Sequence, residues 1–140
     1  MKPTPDFSPL CQAFFSKRLI AQRRASPNTI SAYAHTFRLL AAYAQKRLGT
    51  PPSELSLAQL DAPFLAGFLD NLESSRSNSV RSRNARLASL RAFYHYAAME
   101  APGHASVIQR VLAIPYKRFT RRLVCYLTRP EVQALLGSVD

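Results

Sequence analysis

The sequence predicts an all-α fold, and its length, its composition and its helix start and stop signals carry that prediction. The chain has 140 residues, the usual length of one domain with a single core. Apolar residues make up 47% of it, which is enough for a folded chain. Glycine occurs 4 times, alanine and leucine are abundant, and β-branched residues rarely alternate with polar ones. This composition favours helices over sheets.

The first two predicted helices begin with the same signal. Ser8 followed by Pro9 has the order of an N-cap and a first helical residue, and this helix is expected to end near Arg24. Ser26 and the proline after it repeat the signal, and Gly49 ends the second helix. Apolar residues of the second helix fall on one stripe at helical spacing: Ile30, Tyr33, Ala34, Phe37, Leu40, Ala41, Ala44 and Leu48.

The middle of the chain predicts two shorter elements. Residues 55–60 are expected to form a short turn of helix. Asp61 and Pro63 then open a further helix, whose apolar residues continue to Leu72. A polar break over residues 74–78 ends this region.

A second long amphipathic helix is expected from Ser79 to about Met99, with its apolar residues on one side. Pro102 and Gly103 interrupt the chain after this helix. A shorter helix is then expected to end at Pro115, because proline disfavours helical backbone in the residue before it.

The pattern changes after residue 115. Residues 116–126 are dense in Lys and Arg and only weakly periodic, which is typical of an exposed basic linker. Thr128, Pro130 and Glu131 then form a capping box that opens a new helix. We interpret this helix as the opening of a second domain. The predicted divisions are a domain over 1–115, a linker over 116–126 and the start of the second domain over 127–140.

Positive charge is concentrated in the second half of the chain. Lys and Arg total 19 against 8 Asp and Glu, for a formal net charge of +11. Between Arg76 and Arg122 lie ten basic residues and a single acid, Glu100. A one-sided field of this kind attracts polyanions, and nucleic acid is the commonest polyanionic partner. Charge alone leaves a membrane surface or an acidic protein open as the partner.

The sequence gives no support for a metal-binding, a cofactor-dependent or a membrane-spanning protein. Cys11 and Cys125 lie far apart, and neither has a second Cys or a His at metal-ligand spacing. We therefore expect two reduced thiols, no metal site and no cofactor. The polar, Pro-rich start lacks the features of a signal peptide, and no uncharged stretch is long and apolar enough to span a bilayer. A soluble, cytoplasmic protein is expected.

The outward faces of the two long helices carry the candidate DNA contacts. A helix in the major groove needs cationic and hydrogen-bonding side chains without long obstructions, because base edges and phosphates must be approached closely. At about 100° per residue, the outward arc of the first long helix holds Asn28, Ser31, His35, Arg38 and Ala42. The outward arc of the second holds Arg81, Asn84, Ala85, Ala88, Arg91, Ala92 and His95. Arg83 falls on the inward side of that helix.

The second long helix is the more specific candidate. Its alanines would let the backbone sit deep in a groove while Arg81 and Arg91 reach the flanking phosphates. Its outward arc also lacks the acids that normally pair with cations on a solvated helix. The basic linker residues fit a strap along phosphates: Lys117, Arg118, Arg121 and Arg122. The alternative is an ordinary solvated face for each helix, and an unstructured basic linker for the strap; of the two helices, only the second favours nucleic acid over its alternative.

Three segments share the order and spacing of a known pattern. Residues 26–33 (SPNTISAY) match S-x-N-T-x-x-x-Y, residues 86–94 (RLASLRAFY) contain the L-x-x-L-R-x-F-Y part of R-x-L-x-x-L-R-x-F-Y, and residues 127–136 (LTRPEVQALL) match L-T-x-x-E-x-x-x-L-L. They resemble, in turn, the second and fourth helices of the core-binding domain of tyrosine recombinases and phage integrases, and the opening of their catalytic domain. Each motif alone is weak, and the ordered set is specific.

The resemblance implies a compact SAM-like bundle of four or five helices. In this family the second and fourth helices lie in or across the major groove of double-stranded DNA, and a basic linker leads to the catalytic half. By the same resemblance Thr29, Ser31, Arg86 and Arg91 match positions near DNA. The family cuts DNA through a tyrosine that forms a covalent 3′-phosphotyrosine, in the domain that would follow residue 140. We therefore expect no enzymatic activity from this chain, and a parent recombinase that assembles as a tetramer on paired sites.

Two other functions remain open from the residues. A stand-alone nucleic-acid-binding protein would carry the same charge, and so would a helical protein–protein interaction module with an acidic partner. His35 and Arg38 spell the H-x-x-R of the family's catalytic domain, but no activating arginine precedes them and no nucleophile is placed after them. We expect no catalytic role for either residue.

Overall fold

Five α-helices account for most of the chain that the structure describes. The computed structural model describes residues 6–75 and 79–117, and it has no strand within those ranges. The helices are α1 (Phe7–Ala13), α2 (Pro27–Leu48), α3 (Ala62–Ser75), α4 (Val80–Glu100) and α5 (Ala105–Leu112). A π-helical segment (Phe14–Gln22) continues α1, and 3₁₀ turns lie at Pro52–Glu54 and Pro102–His104. The predicted all-α class is confirmed.

The two long helices begin and end where the sequence predicts. Ser26 Oγ accepts a hydrogen bond from the Thr29 N–H at 3.1 Å, and Ser79 Oγ accepts one from the Ser82 N–H at 3.2 Å. Each bond satisfies a backbone donor that has no partner inside its helix. Gly49 ends α2 with a φ of 66°, a left-handed conformation that glycine adopts at little cost.

The start of α1 differs from the prediction. Asp6, not Ser8, is the N-cap residue, so the predicted start at Ser8 is wrong by two residues. Pro9, which suggested this start, lies in the first turn of α1. The N–H groups of a first turn have no partner inside the helix, so proline is tolerated there. The Asp6 carboxylate makes no cap bond: Oδ1 accepts from the Leu57 N–H at 2.8 Å, and Oδ2 lies 2.7 Å from His104 Nε2. Asp6 thus joins the first helix to two loops that are distant in sequence.

Residues 55–60, predicted as a short turn of helix, form tight hydrogen-bonded turns and no regular helix. The 3₁₀ turn lies earlier, and a hydrogen-bonded turn follows at residues 57–60. Leu55, Leu57 and Leu60 are all buried. In an α-helix the side chains of Leu55 and Leu57 would point about 200° apart, and one of them would be exposed. Burial of both side chains therefore favours the tight turns over an α-helix.

Aromatic rings form the centre of the bundle. Phe7, Phe14, Phe37 and Phe93 come from α1, the π-helical segment, α2 and α4, and their contacting pairs have ring centroids 5.3–6.4 Å apart. Tyr94 is fully buried beside this group, and its hydroxyl donates to the Leu60 carbonyl at 2.7 Å. Burial raises the pKa of Tyr94, which keeps the phenol neutral. α4 packs against all four other α-helices and is the central helix of the fold.

Candidate nucleic-acid interface

α2 and α4 cross at two small hydroxyl residues. Thr36 Oγ1 lies 3.5 Å from Ser89 Oγ, and both side chains are buried. Each hydroxyl also lies 3.2 Å from the carbonyl oxygen one turn earlier, that of Ala32 on α2 and that of Ala85 on α4. Small side chains at the crossing let the two backbones approach closely. Ala32 and Ala85 are exposed, so the outward faces of the two helices lie side by side at the surface.

The predicted outward arc of α2 is confirmed. Its five residues are all exposed: Asn28, Ser31, His35, Arg38 and Ala42. Thr29 is partly buried and belongs to the helix cap, because its Oγ1 accepts a hydrogen bond from Ser26 Oγ at 3.0 Å. The first turn of α2 carries no acid, although acids stabilise that end of a helix. A polyanion can therefore approach this end without meeting a carboxylate on the first turn. Contact of these residues with DNA stays a prediction.

The outward arc of α4 has a centre of small residues. Ala85 is exposed, Ala88 is half-buried, and Ala92 is half-buried and packs against the core. Arg81 and His95 are exposed toward the two ends of this alanine row. The first turn of α4 also lacks an acid. The arrangement allows the α4 backbone to be approached closely, with polar side chains at the ends of the approach.

Arg83 and Arg86 lie away from this centre. Arg83 is buried, as its inward position predicts, with 6% of its surface exposed, and its Nε lies 3.1 Å from Glu73 Oε1. A buried guanidinium needs a counter-charge, and Glu73 of α3 supplies it. Arg86 is half-buried on the side of α4 that faces α2, and its Nε is buried without a hydrogen-bond partner among the described residues.

Asn84 and Arg91 hold the segment that follows α5. Asn84 Nδ2 donates to the Lys117 carbonyl at 2.8 Å, and the Lys117 N–H donates to Asn84 Oδ1 at 2.9 Å. Arg91 Nη1 donates to the Leu112 carbonyl at the end of α5, and its guanidinium carbon lies 5.7 Å from the centroid of the Tyr116 ring. Both side chains were predicted to face DNA, and both make contacts within the chain.

The last predicted contacts lie at or beyond the end of the described chain. Lys117 Nζ lies 2.7 Å from Glu73 Oε1, so it shares with Arg83 the single negative charge of that carboxylate. Arg118, Arg121 and Arg122 lie outside the described residues, as do the rest of the predicted linker and the helix predicted after it.

A family match coincides with these helices. The family described as phage integrase, N-terminal SAM-like domain, matches residues 13–101, which include all of α2, α3 and α4. The chain belongs to this family. Its members are the amino-terminal domains of tyrosine recombinases and integrases, so the predicted family and SAM-like fold are confirmed.

Several curated relatives resemble this SAM-like domain along nearly all of its chain. Two proteins of Sinorhizobium fredii that bear the names integrase/recombinase y4rC and y4rD are 56% and 42% identical, over 95% and 94% of this chain. A tyrosine recombinase XerC of Caldanaerobacter subterraneus is 29% identical over 96% of it. The chain spans 40%, 47% and 41% of these three relatives. No solved structure matches it significantly.

Cys11 is a partly buried free cysteine on α1. Burial raises the pKa of the Cys11 thiol to about 11, which leaves the thiol protonated and poorly nucleophilic at neutral pH. Among residues 6–75 and 79–117, no group of three His, Cys, Asp or Glu side chains could hold a metal ion. No helix in the same ranges is long and apolar enough to cross a membrane.

Sequence reasoning missed two features of this surface. The Thr36–Ser89 crossing had a signal, because both are small polar residues on otherwise apolar inward stripes. The pairing of Asn84 with Lys117 had no signal in the sequence. The two residues are 33 positions apart, and Lys117 takes part through its backbone.

Proposed function

We propose that this domain binds double-stranded DNA through the joined outward surfaces of α2 and α4, as the core-binding half of a tyrosine site-specific recombinase. This surface, the α2–α4 face, comprises Asn28, Ser31, His35, Arg38 and Ala42 of α2 with Arg81, Ala85, Ala88, Ala92 and His95 of α4. The observation that carries the proposal is the crossing at Thr36 and Ser89, because it places two acid-free arcs side by side.

The chemistry of the face suits a duplex. The major groove of B-DNA is about 12 Å wide and admits one helix. The exposed Ala85 allows close approach to the α4 backbone, and Arg38 and Arg81 can reach phosphates or guanine edges from its flanks. The amide of Asn28 and the imidazoles of His35 and His95 add hydrogen-bonding groups. The face thus combines charge for affinity with groups that could read sequence.

DNA cleavage is proposed to reside in the parent protein outside the SAM-like domain. The matched relatives bear integrase and recombinase names, and the chain covers less than half of each. The part of the parent that corresponds to the rest of these relatives would supply the tyrosine nucleophile. The parent would act as a tetramer on paired DNA sites, with the segment of Arg118, Arg121 and Arg122 lying along phosphates between its two halves.

A carboxylate placed on the α2–α4 face tests the proposal. We expect Ala85→Glu to weaken binding to a ~30-base-pair duplex by at least about tenfold, because the new charge lies where phosphates would approach. Ala85 is exposed and within a helix, so glutamate is compatible with the fold. Fluorescence anisotropy of the labelled duplex, at one fixed salt concentration, gives both affinities.

Ala58→Glu is the matched control, since it changes the net charge equally. Ala58 is exposed in the turn whose Leu60 carbonyl accepts the Tyr94 hydroxyl, on the side of α4 opposite Ala85. Its affinity is expected to stay within about twofold of the original. Equal losses from the two variants would show that the α2–α4 face is not the binding surface. Weak binding to DNA that salt does not affect would favour an acidic protein partner instead.

A further inference from the structure

The chain leaves the bundle through a small set of polar contacts between α3, α4 and the segment after α5. We call this set the exit clasp, which comprises Glu73, Arg83, Asn84 and Lys117. The Asn84 amide both donates to and accepts from the backbone of Lys117, at 2.8 and 2.9 Å. Two antiparallel hydrogen bonds to one residue fix the direction of the chain as well as its position.

The side chain of Lys117 is held in the same place. Glu73 Oε1 lies 2.7 Å from Lys117 Nζ and 3.1 Å from Arg83 Nε. Because the Arg83 side chain is buried, it fixes the carboxylate that receives the lysine. Lys117 is therefore bound at its N–H, its carbonyl and its ammonium group. Arg91 and the Tyr116 ring add a contact just before it.

This arrangement fixes Lys117, the residue directly before the three arginines. Arg118 is the next residue, and Arg121 and Arg122 follow within about 18 Å of Lys117 even in a fully extended chain. A segment whose first residue is already fixed loses less conformational freedom when it binds phosphates. Asn84 has also used one donor and one acceptor on Lys117, so a bidentate contact with a base would compete with the exit clasp.

We infer that Asn84 is a positioning residue: through the exit clasp it sets where the arginines after Lys117 begin, and it acts on DNA through them rather than by touching a base. This inference rests on the proposed DNA-binding function. It gives the Asn84 amide a role that differs from the roles of Arg81 and Arg38, which belong to the α2–α4 face itself. Lys117, held through its backbone and its ion pair with Glu73, serves as the anchor, and the arginines that follow it in sequence supply the cations for phosphates.

The first test needs no DNA. Hydrogen exchange of the Lys117 amide, followed by NMR on the 140-residue chain, is expected to be slow in the original protein. Asn84→Ala should accelerate it by about tenfold or more, since the acceptor of that N–H is removed. Gln12→Ala is the control, because this substitution removes an equivalent side-chain amide from an exposed position on α1. An unprotected Lys117 amide in the original protein would overturn the inference.

The second test is a double-mutant cycle on DNA affinity. Asn84→Ala is measured in the original chain and in a chain with Arg118, Arg121 and Arg122 all changed to alanine. We expect a loss of about tenfold in the first background and less than about twofold in the second. Equal losses in both backgrounds would overturn the inference, because Asn84 would then contact DNA independently of the arginines.

Failure of the proposed function gives a different result. If the original chain binds no DNA at low salt while its Lys117 amide is protected, the exit clasp exists and the DNA-binding function is wrong. The role assigned to Asn84 in DNA binding then falls with that function. If Asn84→Ala binds DNA with normal affinity while its Lys117 amide exchanges freely, the DNA-binding function stands. Only the positioning role of Asn84 is then rejected.

Discussion

Phe93→Ala is expected to lower the free energy of unfolding by about 3–5 kcal/mol, the usual cost of removing a buried aromatic ring. Phe93 is fully buried in α4, and its ring centroid lies 5.3 Å from that of Phe37 and 5.7 Å from those of Phe7 and Phe14. Alanine would leave a cavity that rings from three other elements cannot all close. Urea denaturation followed by circular dichroism measures the loss.

Met99→Ala is the control for this substitution, because it truncates a large side chain on the same helix where 59% of the residue is exposed. Its cost is expected to stay below about 1 kcal/mol. Similar losses from the two variants would contradict an aromatic centre that is organised around α4.

Glu73→Gln is expected to lower the free energy of unfolding by about 2–4 kcal/mol, because it leaves the buried Arg83 charge without a counter-charge. The amide keeps the shape of the side chain, so the loss reports charge more than packing. Lys117 loses the same partner, but its side chain is 46% exposed and water can replace the carboxylate. Chemical denaturation of the two proteins gives the difference.

Two further variants separate the buried ion pair from general charge effects. Asp70→Asn removes one exposed acid from the same helix, and its cost is expected to be under about 0.5 kcal/mol. Replacing both partners, with Arg83→Met and Glu73→Leu together, should restore much of the stability, since no unpaired buried charge remains. A Glu73→Gln protein as stable as Asp70→Asn would contradict the pairing.

The parts of the fold that sequence predicted well depend on local signals. Ser26, Ser79 and Gly49 lie at helix ends because their own backbone and side-chain geometry suits those positions. The same holds for Asp61, whose Oδ1 accepts the Phe64 N–H at 3.1 Å at the start of α3. Periodicity likewise placed the outward arc of α2 correctly.

The parts that sequence did not predict depend on contacts between distant residues. Asp6 makes bonds to residues 51 and 98 positions away, and these bonds fix the start of α1. Arg91 lies on the outward arc of an isolated helix, yet the end of α5, 21 positions later, covers it. A helical wheel describes one helix in isolation, and partners from elsewhere in the chain decide which of its outward residues remain accessible.

The salt dependence of DNA binding tests the central claim most directly. Anisotropy of a labelled ~30-base-pair duplex with the original chain, over a series of salt concentrations, gives the slope of log affinity against log salt. Each phosphate neutralised contributes a slope of about −0.9, so engagement of at least four phosphates by the α2–α4 face and the arginines after Lys117 predicts a slope of about −3.6 or steeper. No binding at about 50 mM salt, or a slope near zero, would contradict the assignment of this basic surface to DNA.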